Sequence, residues 1–147
     1  MKYIMISLTI LIFTLTACAP SLDEPVNSNN PSTPQTGAYI PGPADSNLTR
    51  DTVFLDSVEL LTMESFPLQF SLAIKGNLPT PCHKLRIKAN QPDAENKISV
   101  EIYSLIDPNT ACILVLESFE TNYVVGSYPA GHYTVWVNGE QAAEFDA

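Results

Sequence analysis

The stretch LQFSLAIKGN, residues 68–77, alternates apolar and polar side chains and closes on a glycine and an asparagine. Successive side chains of a β-strand point to opposite faces, so a period of two residues indicates a half-buried strand. The alternation predicts that Leu68, Phe70, Leu72 and Ile74 face a core, while the residues between them face solvent. The Gly-Asn pair is expected to end the strand.

Short runs of the same kind lie on both sides of this stretch, separated by turn residues and without helical periodicity. One precedes it at residues 53–62, with a bulge near Asp56. The others are predicted at residues 84–89, 97–105, 112–119, 123–126, 132–138 and 142–145, with Leu85, Ile87, Ile98, Val100 and Ile102 facing inward. The last two runs are joined through Asn138-Gly139, a favoured hairpin pair. Seven or eight short strands predict an all-β fold, an antiparallel β-sandwich.

The C-terminal third carries YPAGHYTVWVNG at residues 128–139. This run resembles the tyrosine corner of Greek-key, immunoglobulin-like β-sandwiches, in which a tyrosine near the start of a late strand hydrogen-bonds the backbone just upstream. The resemblance implies that Gly131 supplies the bend and Tyr133 the phenol. Two positions depart mildly from the usual pattern, because Tyr128 replaces an apolar residue and Ala130 a common proline. The resemblance specifies a fold and implies no activity.

The chain starts with one basic residue, Lys2, and an apolar run from Tyr3 to Leu15, which is the pattern of an export signal. At about 13 residues the run is shorter than the roughly 20 that a membrane-spanning helix needs. It closes on LTAC, residues 15–18, which resembles the lipobox of bacterial lipoproteins. The resemblance implies cleavage before Cys18, a diacylglycerol on its sulfur and an acyl chain such as palmitate on its new amino group. A plain secretory site at Ala17-Cys18-Ala19 is the alternative.

The chain therefore divides into three parts. Residues 1–17 are assigned to a lipoprotein signal peptide, 18–48 to the lipidated cysteine and a disordered tether, and 49–147 to one β-sandwich domain. The tether is rich in Pro, Ser, Asn and Thr, so it cannot bury enough apolar surface to fold. We expect the protein in the cell envelope, lipid-anchored and facing outside the cytoplasm. Where there are two membranes, Ala19 rather than an aspartate after the cysteine implies delivery to the outer one.

The composition is acidic, with 16 Asp and Glu against 7 Lys and Arg. Removal of Lys2 with the signal leaves a net charge near −10. Nucleic acid and anionic lipid headgroups are poor partners for such a surface. The favoured interpretation is that the acidic surface keeps the domain soluble, and attraction of a cationic partner is the alternative.

The remaining cysteines, Cys82 and Cys112, form an even pair once Cys18 is assigned to the lipid. We predict that they are disulfide-bonded, because both flank strand ends in an exported domain. Closing a loop of about 30 residues is worth roughly 3–4 kcal/mol in the chain-entropy model. A reactive free thiol is the alternative.

No recognisable catalytic or cofactor motif is present. Cys82-His83 lacks the second cysteine of a haem-attachment site, and there is no Gly-x-Ser-x-Gly turn or phosphate-binding glycine loop. His83 and His132 could be drawn together as metal ligands with Met63 or an acid, but no local ligand spacing supports this. Acidic pairs for glycoside hydrolysis could come from Glu59, Glu64, Glu101, Glu117 and Glu120, as in any acidic sandwich. We predict no catalytic residue, no metal and no cofactor.

Lys84, Arg86 and Lys88 form a basic cluster that projects from one face of a predicted strand. This cluster is either a contact site or, as we favour, a set of cross-strand pairs with Glu101 or another acid on a neighbouring strand.

Trp136, the only tryptophan, has the opposite parity to Tyr133, Val135 and Val137. If those three residues face the core, Trp136 lies on the outer face beside His132 and Thr134. An exposed aromatic side chain there would be a candidate platform for a ligand such as a carbohydrate, unless a loop covers it.

The pattern as a whole predicts a membrane-anchored envelope lipoprotein that presents a small non-catalytic binding or structural module. Its partner would be an envelope protein or a carbohydrate, with no nucleic acid. One alternative is an envelope inhibitor of a secreted hydrolase. A second alternative is a small hydrolase or a metal-binding protein.

Overall fold

The computed structural model describes residues 37–147, in which eight β-strands form two sheets. The predicted signal peptide, Cys18 and the first part of the predicted tether lie outside the described residues. The bounds are β1 (Thr49–Asp51), β2 (Phe54–Met63), β3 (Gln69–Leu78), β4 (Lys84–Ala89), β5 (Lys97–Ile106), β6 (Glu117–Gly126), β7 (His132–Val137) and β8 (Glu140–Asp146). The predicted all-β sandwich is therefore confirmed.

Five strands make one sheet and three make the other. In the first sheet β5 pairs with β1, β4 and β7, and β7 continues to β8; the second sheet has the order β2-β3-β6. All pairs are antiparallel except β5 with β7, which run parallel. This departs from the purely antiparallel prediction, because β6 lies between them in sequence but belongs to the opposite sheet.

The core lies between the two sheets and follows the alternation that the sequence shows. Phe70, Leu72 and Ile74 of β3 are fully or almost fully buried. The first sheet contributes alternate residues of β4, β5 and β7, among them the predicted Leu85, Ile87, Ile98, Val100 and Ile102. Phe70 stacks on Phe145 of β8 with ring centroids 3.9 Å apart, which joins the two layers.

Two local features of the prediction are confirmed. The β2–β3 register shifts between Leu55 and Ser57, so the bulge falls at Asp56. Asn138 and Gly139 both have positive φ, 50° and 92°, as a two-residue hairpin turn of the primed type requires.

Leu68 is a correction, because its side chain is 46% exposed rather than buried. β3 begins at Gln69, so Leu68 belongs to the β2–β3 connection, where the strand period no longer sets its direction. β3 also runs on past the Gly-Asn pair to Leu78.

The predicted strands at 112–119 and 123–126 are also corrected. One strand, β6, spans Glu117–Gly126, and residues 111–116 are irregular. The last pair of the β3–β6 ladder is Leu78 with Glu117. Beyond Leu78 the chain enters Pro79-Thr80-Pro81, and because proline has no N–H to donate, the residues before Glu117 have no strand to pair with.

The part of the predicted tether that the structure describes, residues 37–48, lies against the domain. Pro43–Asp45 forms a 3-10 turn, and Tyr39 packs against the core. The amide of Ile87 donates to the carbonyl of Tyr39 at 2.9 Å, which places this segment at β4. Ordered structure therefore starts before the predicted boundary at Thr49.

The predicted disulfide between Cys82 and Cys112 is present, with Cα atoms 6.1 Å apart. It links the β3–β4 connection to the β5–β6 connection, and each of these connections runs from one sheet to the other. Within residues 37–147 no helix has the length and apolar character that crossing a membrane requires.

Candidate functional site

One edge of β5 is shared by two strands that follow each other along it. β4 pairs with residues 100–105 of β5, β7 with residues 97–100 and β1 with residues 104–106. Since a strand has only two edges, β7 and β1 must lie on the edge opposite β4. Between them the backbone of β5 is left without a strand partner near Ile102.

The side chain of Asn138 closes this gap. Its amide nitrogen donates to the carbonyl of Ile102 at 2.9 Å, and its oxygen accepts from the Ile102 amide at 2.8 Å. The side chain thus continues the ladder where the strand backbone turns away. The same residue forms the β7–β8 turn, so one asparagine serves both the hairpin and the sheet.

A groove of about 600 Å³ lies on the outer face of the first sheet, between the last residues of β7 and the last residues of β1. We call it the β1–β7 groove. Its volume is within the roughly 300–1,000 Å³ of small-ligand sites. Its lining includes Arg50, Lys97, Ser99, Glu101, Tyr103 and Trp136.

Each aromatic ring of the groove has a cation against it. The guanidinium of Arg50 lies 3.9 Å from the ring centroid of Tyr103, and the ammonium of Lys97 lies 4.0 Å from that of Trp136. Such contacts are worth about 0.5–1 kcal/mol at exposed sites, so they hold long side chains in place. Arg50 also donates to Glu101 at 3.0 Å.

Trp136 lies on the outer face, as its parity predicts, and is partly exposed. Tyr133, Val135 and Val137 are buried. The indole N–H donates to the hydroxyl of Thr134 at 3.2 Å. Of its predicted neighbours, Thr134 touches it, while His132 lies toward β8 and contacts Asp146 at 2.9 Å.

The three residues of the basic cluster have different surroundings. Lys84 and Lys88 are exposed, whereas Arg86 binds Asp45 of the N-terminal segment through both carboxylate oxygens, at 2.7 and 2.8 Å. The hydrogen bond from Arg86 lowers the pKa of Asp45 from 3.8 to about 2. Glu101, the partner expected for this cluster, is instead bonded to Arg50.

His83 is buried and joins two side chains that the sequence did not connect. Its Nδ1 lies 2.8 Å from the Thr80 hydroxyl, and its Nε2 lies 3.2 Å from a carboxylate oxygen of Asp51. The pKa of Asp51 is lowered, first by the amide of Thr52 and then by His83. The order hydroxyl, imidazole, carboxylate has the composition of a hydrolase triad. The Thr80 side chain is nevertheless buried, and its oxygen also accepts from the Cys82 amide.

Other residues that the sequence singled out make hydrogen bonds that stabilise the fold. The phenol of Tyr133 donates to the carbonyl of Pro129, four residues upstream, and Gly131 exchanges backbone hydrogen bonds with Ala147. His83 and His132 have separate carboxylate partners, Asp51 and Asp146. Among residues 37–147 no group of three or more His, Cys, Asp or Glu side chains is placed to hold a metal ion.

The sequence did not single out Arg50, Lys97 or Tyr103 as site residues. Each is an ordinary strand residue with outward parity, and only the pairing of β1 and β7 with one edge of β5 brings the three together. A weak signal was available, because Lys97 and Tyr103 share their parity with Glu101, which the sequence had marked as a partner of the basic cluster.

A second exposed surface lies in the irregular segment after Cys112. Ile113, Leu114, Val115 and Leu116 are 70, 94, 50 and 56% exposed. We call this segment the apolar loop. It starts at the disulfide, which fixes its first end, and it finishes at the first residue of β6.

One protein family matches this chain. The model of the ORF11 beta-sandwich domain matches residues 72–147, which include most of β3 and all of β4 to β8. No curated protein and no solved structure matches the chain.

Proposed function

The chain belongs to the ORF11 beta-sandwich domain family, and we propose that it is a membrane-anchored, non-catalytic binding module of the cell envelope. In this proposal the lipid is carried by Cys18, and the ligand surface is the outer face of the first sheet. The observation that carries the binding role is the β1–β7 groove, because it combines a ligand-sized volume with two aromatic rings and charges of both signs.

The anchor is supported by the sequence at residues 1–18, with Lys2, a short apolar run and LTAC ending on Cys18. The bonded pair Cys82–Cys112 fits an oxidising compartment, where disulfides persist. Export and lipidation together would hold the domain at a membrane surface, facing outside the cytoplasm. Ala19 favours the outer membrane in cells that have one.

The non-catalytic role is supported by the burial of Thr80, the hydroxyl residue of the hydrogen-bonded set Thr80, His83 and Asp51. A nucleophile must reach its substrate, but Thr80 is only 6% exposed and its oxygen is already engaged with His83 and the Cys82 amide. These contacts also give His83 a structural role, because a buried imidazole needs hydrogen-bond partners for both of its nitrogens.

Metabolic labelling with an alkyne analogue of palmitate tests the anchor. The wild type should take up the label, and Cys18→Ser should lose it, because the lipobox cysteine is the acceptor in the proposal. Cys82→Ser is the matched control and should keep the label. An unlabelled wild type, or a labelled Cys18→Ser variant, would contradict the anchor.

The apolar loop favours a second candidate, an inhibitor of a secreted hydrolase. An exposed apolar segment with a disulfide at its root can enter a substrate cleft with little loss of conformational entropy. The test measures the activity of purified envelope and secreted hydrolases with and without the protein, and at least one of them should be inhibited. Leu114→Asp should abolish that inhibition and Trp136→Ala should not. Inhibition that survives Leu114→Asp would rule this candidate out.

A further inference from the structure

The outer face of the first sheet collects most of the positive charge of an acidic protein. Five of the seven Lys and Arg residues project from it: Arg50, Lys84, Arg86, Lys88 and Lys97. Of the other two, Lys75 lies on β3 and pairs with Glu120, and Lys2 is outside the described residues. A chain with formal net charge −9 thus presents a locally basic face.

The cations of this face are not all committed to acids. Arg86 is held by Asp45, and Arg50 shares one nitrogen with Glu101. Lys84, Lys88 and Lys97 form no ion pair within 4.0 Å in the part of the chain that the structure describes. Arg50 and Lys97 also line the β1–β7 groove, where their ring contacts fix them in place.

From these observations we propose that the β1–β7 groove binds an acidic glycan, a sugar chain that carries carboxylates. This rests on the proposed binding function and names its ligand class. Sugar rings present apolar C–H faces to Tyr103 and Trp136, and their carboxylates meet Lys97 and the free nitrogens of Arg50. The hydroxyls of the same chain donate to Glu101 and exchange hydrogen bonds with Ser99.

Glu101 favours an acidic glycan over other polyanions. Its carboxylate lines the groove, is bonded to Arg50, is 39% exposed and only accepts hydrogen bonds. A polyphosphate has no hydroxyl to donate and would meet like charge there. A single-stranded nucleic acid would bring a phosphate for every base, so it is disfavoured for the same reason. A glycan uses the acid, the cations and the rings together.

Trp136 makes the test direct, because it is the only tryptophan of the chain and lies in the groove. The full chain, purified in a detergent without a sugar headgroup, is titrated with hexagalacturonate while tryptophan emission is recorded. We expect a saturable change in emission. The fully methyl-esterified hexasaccharide, which has the same backbone without charge, should bind about tenfold more weakly, as the loss of charged hydrogen bonds implies.

Variants of matched charge locate the site. Lys97→Gln and Arg50→Gln should each weaken hexagalacturonate binding about tenfold. Lys75→Gln, which removes an equal charge from the other sheet, should leave it unchanged. Thermal unfolding of each variant shows that the sandwich is intact, and Lys97→Gln alters only a surface side chain, so its result does not depend on folding.

Several results would overturn the acidic-glycan inference, namely no response to hexagalacturonate, equal binding of the methyl ester, or tighter binding of inorganic polyphosphate or oligo(dT). Equal weakening by Lys75→Gln would also overturn it, since charge alone would then explain binding. Trp136→Ala has no tryptophan emission, so its binding is measured by isothermal titration calorimetry. If the methyl ester binds as well as the acid and Trp136→Ala binds neither, the groove is a binding site for neutral sugars. In that case the proposed function survives and the ligand class is wrong.

Discussion

Residues 39–48 and the apolar loop, residues 113–116, are both largely irregular, yet the more polar of the two is the one held against the five-stranded sheet. The first segment contains prolines and small polar residues and packs against the five-stranded sheet. The second reads Ile-Leu-Val-Leu and is exposed. The difference shows that a segment is held against a folded surface when that surface offers it partners, whatever its own hydropathy.

The partners can be named in both cases. The first segment supplies an acceptor for the Ile87 amide and a carboxylate for Arg86, two groups of β4 that would otherwise lack them. The apolar loop follows a disulfide and precedes the first rung of the β3–β6 ladder, so no strand lies beside it.

Removing the disulfide with Cys82→Ala/Cys112→Ala should lower the free energy of unfolding by about 3–4 kcal/mol, because it closes a loop of 30 residues. Urea unfolding under oxidising conditions measures the loss. Reductant should bring the wild type to the stability of the variant and leave the variant unchanged. A wild type insensitive to reductant would show that the root of the apolar loop is not held by this bond.

Leucine deletions in the two kinds of environment should differ sharply. Leu72→Ala removes a fully buried side chain and should cost about 3 kcal/mol, whereas Leu114→Ala, at a position 94% exposed, should change stability by less than about 0.5 kcal/mol. Both are measured by urea unfolding. A loss of more than about 1 kcal/mol at Leu114 would mean that the apolar loop is packed in solution, and it would remove the contrast on which the comparison rests.

Asp45→Asn should release residues 39–48 and speed hydrogen exchange at the Ile87 amide. The pKa of Asp45 is lowered to about 2, so the ion pair with Arg86 contributes fully above the ordinary carboxyl value of 3.8. That contribution is lost as pH falls toward about 2, so the stability gap between wild type and Asp45→Asn should narrow over this range. Glu140→Gln, an exposed acid elsewhere, is the control. A gap that does not change with pH would contradict the ion pair.

Residues 127–131 are a third irregular segment. The burial of the Tyr128 side chain lies between that of the packed Leu72 and that of the exposed Leu114, because Tyr128 is half-buried against the core. Burial raises its pKa to about 12, and it raises the pKa of Tyr123 as well. The stabilising effect of a neutral Tyr128 is full below about pH 10 and is lost as pH rises toward 12, since the unfolded chain ionises first. Phenolate absorbance should show a late phase among the six tyrosines that Tyr128→Phe diminishes.

The two misplaced segments show where prediction from the sequence failed. Residues 37–48 were assigned to the tether from composition alone. A Pro-rich polar segment carries no signal that its Asp45 will pair with Arg86 of β4. Residues 112–116 were assigned to a strand because they are apolar. They do not form one because a strand also needs a partner strand, and the sequence does not show that the partner ends at Leu78. The candidate site was predicted in part, through Trp136, and its other members became visible only in the sheet.

Local signals in the sequence were enough to predict strands β2 to β5, β7 and β8, most of their inward faces, the bulge at Asp56, the Asn138-Gly139 turn and the pairing of Cys82 with Cys112. Each of these depends on local periodicity, local backbone preference or the count of cysteines. The packed sheets were needed to show that β7 and β1 share one edge of β5, that Asn138 closes the gap between them and that five cations lie on one face. These features join residues far apart in the chain, and their energies depend on distances that exist only after the two sheets have packed.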